Sequence, residues 1–182
     1  QKTIFKNLIF IQIFISNLIF IGSSKAIIPF YNLPNEDSLN KNSFGIAKNA
    51  YQLLYFGQIK ESLKLAELAL SLNNNDPKLW SLLAETQIAN KLYENALSSI
   101  KEGKKLAPEM SELYFSESSI FIKQNKIKDA QNSLKKGLLL KPDNINGIFQ
   151  LGNLYLMEKK FKKSLNSFNK AIKIKPTFWQ AY

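Results

Sequence analysis

"GIFQLGNLYLMEKKFKKSLNSFNKAIKIKP", residues Gly147 to Pro176, holds two stretches with apolar residues at helical spacing and a short break, "EKK", between them. Small residues sit at Gly152, Ser164 and Ala171, and a proline closes the stretch. Moved back along the chain in steps of 34, the pattern meets itself. Segments beginning at Ser43, Pro77, Ser111 and Ile145 align without a gap. One column is small in every copy: Ala50, Ala84, Ser118, Gly152. A second is Ser62, Ala96, Ala130, Ser164, and a third is Ala69, Gly103, Gly137, Ala171. Bulky columns agree too: Ile59, Tyr93, Ile127 and Phe161 form one, and Leu72, Leu106, Leu140 and Ile174 another. Pro108, Pro142 and Pro176 close their copies at one offset, while the first copy has Asn74 there and Pro77 slightly later.

Each copy therefore predicts two helices joined by a tight break. Small residues let two helices approach closely, and bulky ones fill the space between them. One helix pair cannot bury its apolar face alone, whereas stacked neighbours can, so about three copies are the minimum for stability. Proline ends the second helix and turns the chain towards the next copy.

The period, the helix pair, the small columns, the bulky residues at Trp80, Tyr114 and Ile148 and the closing prolines resemble tetratricopeptide repeats. The resemblance runs from Ser43 to Tyr182 and is strongest in the last copy, with Leu151, Gly152, Tyr155, Phe168, Ala171 and Pro176. It is weakest in the first, where Ile46 and Asn49 depart from the usual pattern. It implies an all-α fold, a right-handed superhelical α-solenoid of four helix-turn-helix repeats at 43–76, 77–110, 111–144 and 145–178. A fifth copy is expected to start at 179. A chain that starts at Gln1 and stops inside a helix start is expected to be a fragment.

The resemblance also implies a protein-binding scaffold whose first helices line a concave groove. Mapped onto this chain, the groove positions include Phe44, Tyr51, Tyr55, Glu85, Phe115, Phe149 and Asn153, mostly aromatic with scattered polar groups. They suit an apolar peptide or a partner helix. The same aromatics would equally serve as packing between helices. Family members that clamp a chaperone's carboxyl terminus use lysine, arginine and asparagine here. Ala47, Tyr51 and Phe115 at such places argue against that partner.

Upstream, residues 1–26 have lysines at Lys2 and Lys6, a mostly apolar run from Leu8 to Ile21, and "GSSKA", with Ser24 and Ala26 spaced as at a signal-peptidase site. As a helix that run is about 21 Å long, short of the roughly 30 Å hydrocarbon core. A cleaved secretory signal and a retained membrane anchor both fit, and both imply an exported (periplasm or thylakoid lumen) or membrane-anchored protein. Residues 27–42 carry two prolines and several turn residues and are expected to be an extended linker. The tetratricopeptide domain is then 43–182.

All 25 basic residues are lysines, against 14 acids, for a net charge of +11. Codon bias of an AT-rich genome accounts for much of this excess. Ile27 to Met110 is balanced, with nine lysines and nine acids, and Ser111 to Tyr182 has thirteen lysines and five acids. Lys128, Lys135, Lys136, Lys162, Lys163, Lys170 and Lys173 fall on second helices and predict a basic outer surface. That surface is either simply solvated or suited to an anionic membrane or an acidic partner. Without arginine, base recognition by a bidentate guanidinium is excluded, and nucleic acid is not an expected partner.

The chain has no cysteine and no histidine, which removes thiol nucleophiles, disulfides, the usual zinc sites and histidine-based triads. "GNLYLMEKK" lacks the lysine–hydroxyl ending of a phosphate loop, and no carboxylates have metal spacing. The expectation is no enzyme, no cofactor and no metal, but a scaffold that aids assembly of a membrane or envelope complex. The alternative is the amino-terminal repeat region of a longer enzyme, such as a glycosyltransferase, with its catalytic domain beyond Tyr182.

Overall fold

The computed structural model describes residues 36–181, with side chains from position 42 onward. Among these residues the chain forms helices and turns and no strand. The helices are α1 (Glu36–Tyr55), α2 (Ile59–Leu72), α3 (Pro77–Ala89), α4 (Tyr93–Leu106), α5 (Ser111–Lys123), α6 (Ile127–Leu140), α7 (Ile145–Met157) and α8 (Phe161–Ile174). A 3₁₀ turn follows at Trp179–Ala181. Past α1 every helix is 13 or 14 residues long, as the repeat predicts.

Helix α1 is longer, at 20 residues. Its first turns are "EDSLNKN", residues 36–42, which the turn-rich composition places in an extended linker. The correction has a simple cause. No proline follows Pro34 until Pro77, and two acids open the segment, which suits the positive end of a helix dipole. The rest of the expected linker and the apolar run at 8–21 lie outside the described residues. Among the described residues no helix is long and apolar enough to cross a membrane.

Within each copy the break is one repeated turn. Gly57, Lys91, Asn125 and Lys159 stand 34 residues apart and all have positive φ, between 57° and 76°. In each case the next amide donates back to a carbonyl five residues earlier, as from Lys126 N to Phe121 O at 2.8 Å and from Lys160 N to Tyr155 O at 2.8 Å. This left-handed cap satisfies carbonyls that the helix end leaves open. Between copies the chain leaves the second helix through one repeated conformation at Asn73, Ala107, Lys141 and Lys175, with φ between −150° and −135° and ψ between 80° and 96°. Side-chain caps then start the next helix in two copies: Asp76 accepts from Lys78 N at 2.9 Å, and Asn144 accepts from Gly147 N at 2.8 Å.

Each apolar cluster takes both helices of one copy and the first helix of the next. Ala50, Ala66, Ala69, Leu79 and Leu82 join α1, α2 and α3. Ala84, Ala96, Ile100, Leu113 and Ile120 join α3, α4 and α5. Ala130, Leu134 and Leu154 join α6 and α7, with Phe115 of α5 against them. In the last cluster the 3₁₀ turn takes the place of a following helix, with Ala181 against Ile148 and Ala171. Side chains such as Leu82, Ile100, Leu113 and Leu134 are fully buried, and each contributes about 1.5–3 kcal/mol relative to exposure.

Polar groups tie helices within and between copies at fixed offsets. Ser62 Oγ donates to Ala50 O at 2.7 Å, and Ser164 Oγ repeats the bond to Gly152 O at 2.9 Å. Trp80 Nε1 donates to Asn74 O, and Tyr114 Oη donates to Pro108 O, both at 2.8 Å. The aromatic of each of these copies thus pins the turn before it. Glu117 on α5 pairs with Lys104 of α4 at 2.7 Å and accepts from Ser133 Oγ of α6 at 2.6 Å.

Candidate functional site

Because α1 packs on α3 and α3 on α5, the first helices share one face. A groove of about 1140 Å³ opens there. Its wall on α1 and the turn after it is aromatic: Phe44, Tyr51, Tyr55 and Phe56 all line it. Phe44, Tyr55 and Phe56 are 78%, 87% and 73% exposed, so these rings do not serve as core. The opposite wall is α3 and the turn before α5, with Pro77, Leu79, Pro108 and Met110. Asp76, Glu85, Glu109 and Glu112 add carboxylates, against only Lys48 and Lys78.

A second, smaller cleft of about 320 Å³ follows between α3, α5 and α7. It is lined by Ile88 and Phe115 and by a polar set that includes Ser116, Ser119, Asn146 and Gln150. Glu85 borders both spaces, so it stands where the aromatic groove gives way to the polar cleft.

The carboxyl of Glu85 is held in its neutral form beyond the ordinary range. Burial, and then the like charge of Glu112, push its pKa up from 4.5 to about 7. No hydrogen bond or cation among the described residues pulls it down. Glu112 by contrast has Lys141 Nζ at 3.8 Å and accepts from Ser111 Oγ at 3.1 Å. The Tyr51 phenol is pushed up to about 12 by burial and then by Glu85, Asp76 and Glu112, so it stays a hydrogen-bond donor.

Of the residues expected in the groove, Phe44, Tyr51, Tyr55 and Glu85 come together in it. Phe115 borders the smaller cleft but is half-buried as a wedge: a Cβ at Gly137 or Gly147 would lie 2.7 or 2.8 Å from its ring. Phe149 lies in the last apolar cluster, its ring centroid 5.6 Å from that of Phe168 and 5.4 Å from that of Phe178. It lines neither space, and neither does Asn153. Mapping by first-helix position missed Phe56, Asp76, Pro108 and Met110, which sit in the turns. Their turn placement was visible in the repeat, but not that the turns border the groove.

Lys128, Lys135, Lys136, Lys162, Lys163, Lys170 and Lys173 are all exposed on α6 and α8. Lys135 and Lys163 lie 6.0 and 5.8 Å from the Tyr155 ring, a cation–π distance from either side. Among the described residues no group of three or more acidic side chains could hold a metal ion.

A family model for the tetratricopeptide repeat matches residues 111–144 and 146–178. Two adjacent copies, 111–144 and 146–178, are thus similar in sequence to the tetratricopeptide repeat. Solved tetratricopeptide structures share the fold of this repeat array. A thermophilic tetratricopeptide protein of Thermus thermophilus superposes with a TM-score of 0.70 at 20% identity, over 80% of this chain and 82% of that one. MamA superposes at 0.63 with 21% identity, over 73% and 78%. YrrB, described as a tetratricopeptide protein with an unusual peptide-binding site, superposes at 0.62 with 18% identity, over 80% and 74%. At such identities the likeness concerns the fold alone. No curated protein matches the chain in sequence.

Proposed function

We propose that this tetratricopeptide protein is a non-catalytic scaffold that holds a partner peptide or helix in the groove between α1, α3 and α5. The observation that carries the reading is the aromatic wall of that groove: large rings held in solvent by a helix whose other face is core. An exposed aromatic cluster in a concave site is the usual form of a binding hot spot. The repeat fold supports it, because such arrays present extended concave surfaces to other proteins.

The finer role is assembly of a membrane or envelope complex by an exported or anchored protein. It draws its support from the sequence: a lysine-flanked apolar run near the amino terminus and a lysine-rich carboxyl-terminal half. The exposed lysines of α6 and α8 suit an anionic membrane surface beside the bound partner.

Crosslinking and pull-down of the full chain from its own membrane fraction tests the reading. Phe44→Ala and Tyr55→Ala together are expected to lower recovery of the captured partner about tenfold or more, with helical content unchanged by circular dichroism. Recovery equal to that of the parent chain would rule out the groove as the binding site.

A further inference from the structure

We infer that the peptide this groove takes carries a lysine or arginine between apolar residues, and that its cation pairs with Glu85. The inference rests on the groove reading above and adds the chemistry of the occupant.

Three observations on the groove converge. Its walls are apolar and aromatic, so the bulk of an occupant must be apolar to displace water favourably. Its charged groups are mainly acidic: Asp76, Glu85, Glu109 and Glu112 against Lys48 and Lys78. That balance is opposite in sign to the chain as a whole, at +11. Among the described residues the carboxyl of Glu85 makes no hydrogen bond or ion pair, although it is half-buried between the two spaces.

A wholly apolar occupant would cover Glu85 and strip its remaining water, leaving a buried carboxyl with nothing to bond. That is among the more costly arrangements a binding site can adopt. A carboxyl-terminal peptide would bring a like charge to Glu85 and Glu112. A lysine or arginine removes the penalty, because a charge-assisted bond replaces the water that is lost. The position of Glu85 fixes where the cation falls. Apolar residues would lie on one side, along Tyr51 and Tyr55, and polar ones on the other, along Ser116 and Ser119.

A random twelve-residue phage-displayed library, selected on the immobilised full chain, tests the inference. Wild type is expected to enrich peptides with one lysine or arginine flanked by apolar residues. Glu85→Gln should lose the enrichment of the cation while still selecting apolar peptides. Glu85→Lys should turn the preference to aspartate or glutamate at the same place, a gain that a misfolded variant could not produce. Enrichment of purely apolar peptides, or an unchanged cation preference in Glu85→Gln, would overturn the inference and leave the groove reading standing. No enrichment at all by the wild-type chain would overturn both. A chain that sediments as a dimer, and dissociates on Tyr55→Ala, would make a second copy the occupant and overturn the inference as well.

Discussion

Gly152 shows how a residue is chosen by the one it faces. A Cβ there would lie 2.5 Å from the Phe168 ring. In the earlier copies the same two positions are Ala50 with Ala66, Ala84 with Ile100, and Ser118 with Leu134. Only the largest partner, phenylalanine, faces the smallest residue, and the sum of the two is roughly kept in the last three copies. Phe168 has little room to retreat, because Phe149 stands at 5.6 Å. Gly152→Ala is therefore expected to destabilise the chain by about 1–3 kcal/mol in urea denaturation. Phe168→Leu should absorb part of that loss. The double variant is expected to be more stable than the two single changes predict by about 1 kcal/mol. Simple additivity would mean that the two side chains do not constrain one another.

Among the elements, the hairpin turn gives the sharpest expectation. The same left-handed position is filled by Gly57, Lys91, Asn125 and Lys159. Glycine holds this conformation without a Cβ clash and asparagine tolerates it, whereas lysine is strained. Lys159→Gly is expected to raise stability by about 0.5–1 kcal/mol, the relief of strain exceeding the added freedom of the unfolded chain. Gly57→Ala should lower it by about 1 kcal/mol. Thermal unfolding of both variants checks the pair, and a gain from Gly57→Ala would contradict the geometry. Eight similar helices were legible from spacing alone, and the early start of α1 was not. Turn-forming composition in residues 36–42 outweighed the helix signal of its acidic opening.

For the whole molecule, the partly buried carboxyl of Glu85 couples stability to pH. Its pKa stands at about 7 in the folded chain against an ordinary 4.5. Between those values the folded protein holds a proton that the unfolded chain has released. Stability is thus fully present below about pH 4.5, falls as pH rises through about 7, and is level beyond. The loss is expected to be roughly 1–3 kcal/mol. Glu85→Gln should flatten that dependence and leave the variant more stable than the parent at pH 8. Denaturant midpoints at pH 5 and pH 8 measure it, and an equal fall in the variant would assign the effect to other groups.

From the sequence by itself follow the period, the helix pairs and the columns of small and bulky residues, because each repeats locally and side-chain volume is read one position at a time. What only the tertiary structure decided is which aromatics are free. Phe44 and Phe149 both lie on first helices but at repeat positions three residues apart, Phe44 aligning with Asn146 and Phe149 with Ala47. Phe44 stands 78% exposed in the groove, while Phe149 packs against Phe168 and Phe178. Stacking turns the first of these positions outward in every copy, at Lys78, Glu112 and Asn146 as at Phe44, and the second inward, at Ala47 and Ser81 as at Phe149. The strain at Glu85 has the same origin: a carboxylate becomes costly only when the turns and helices of adjacent repeats close around it.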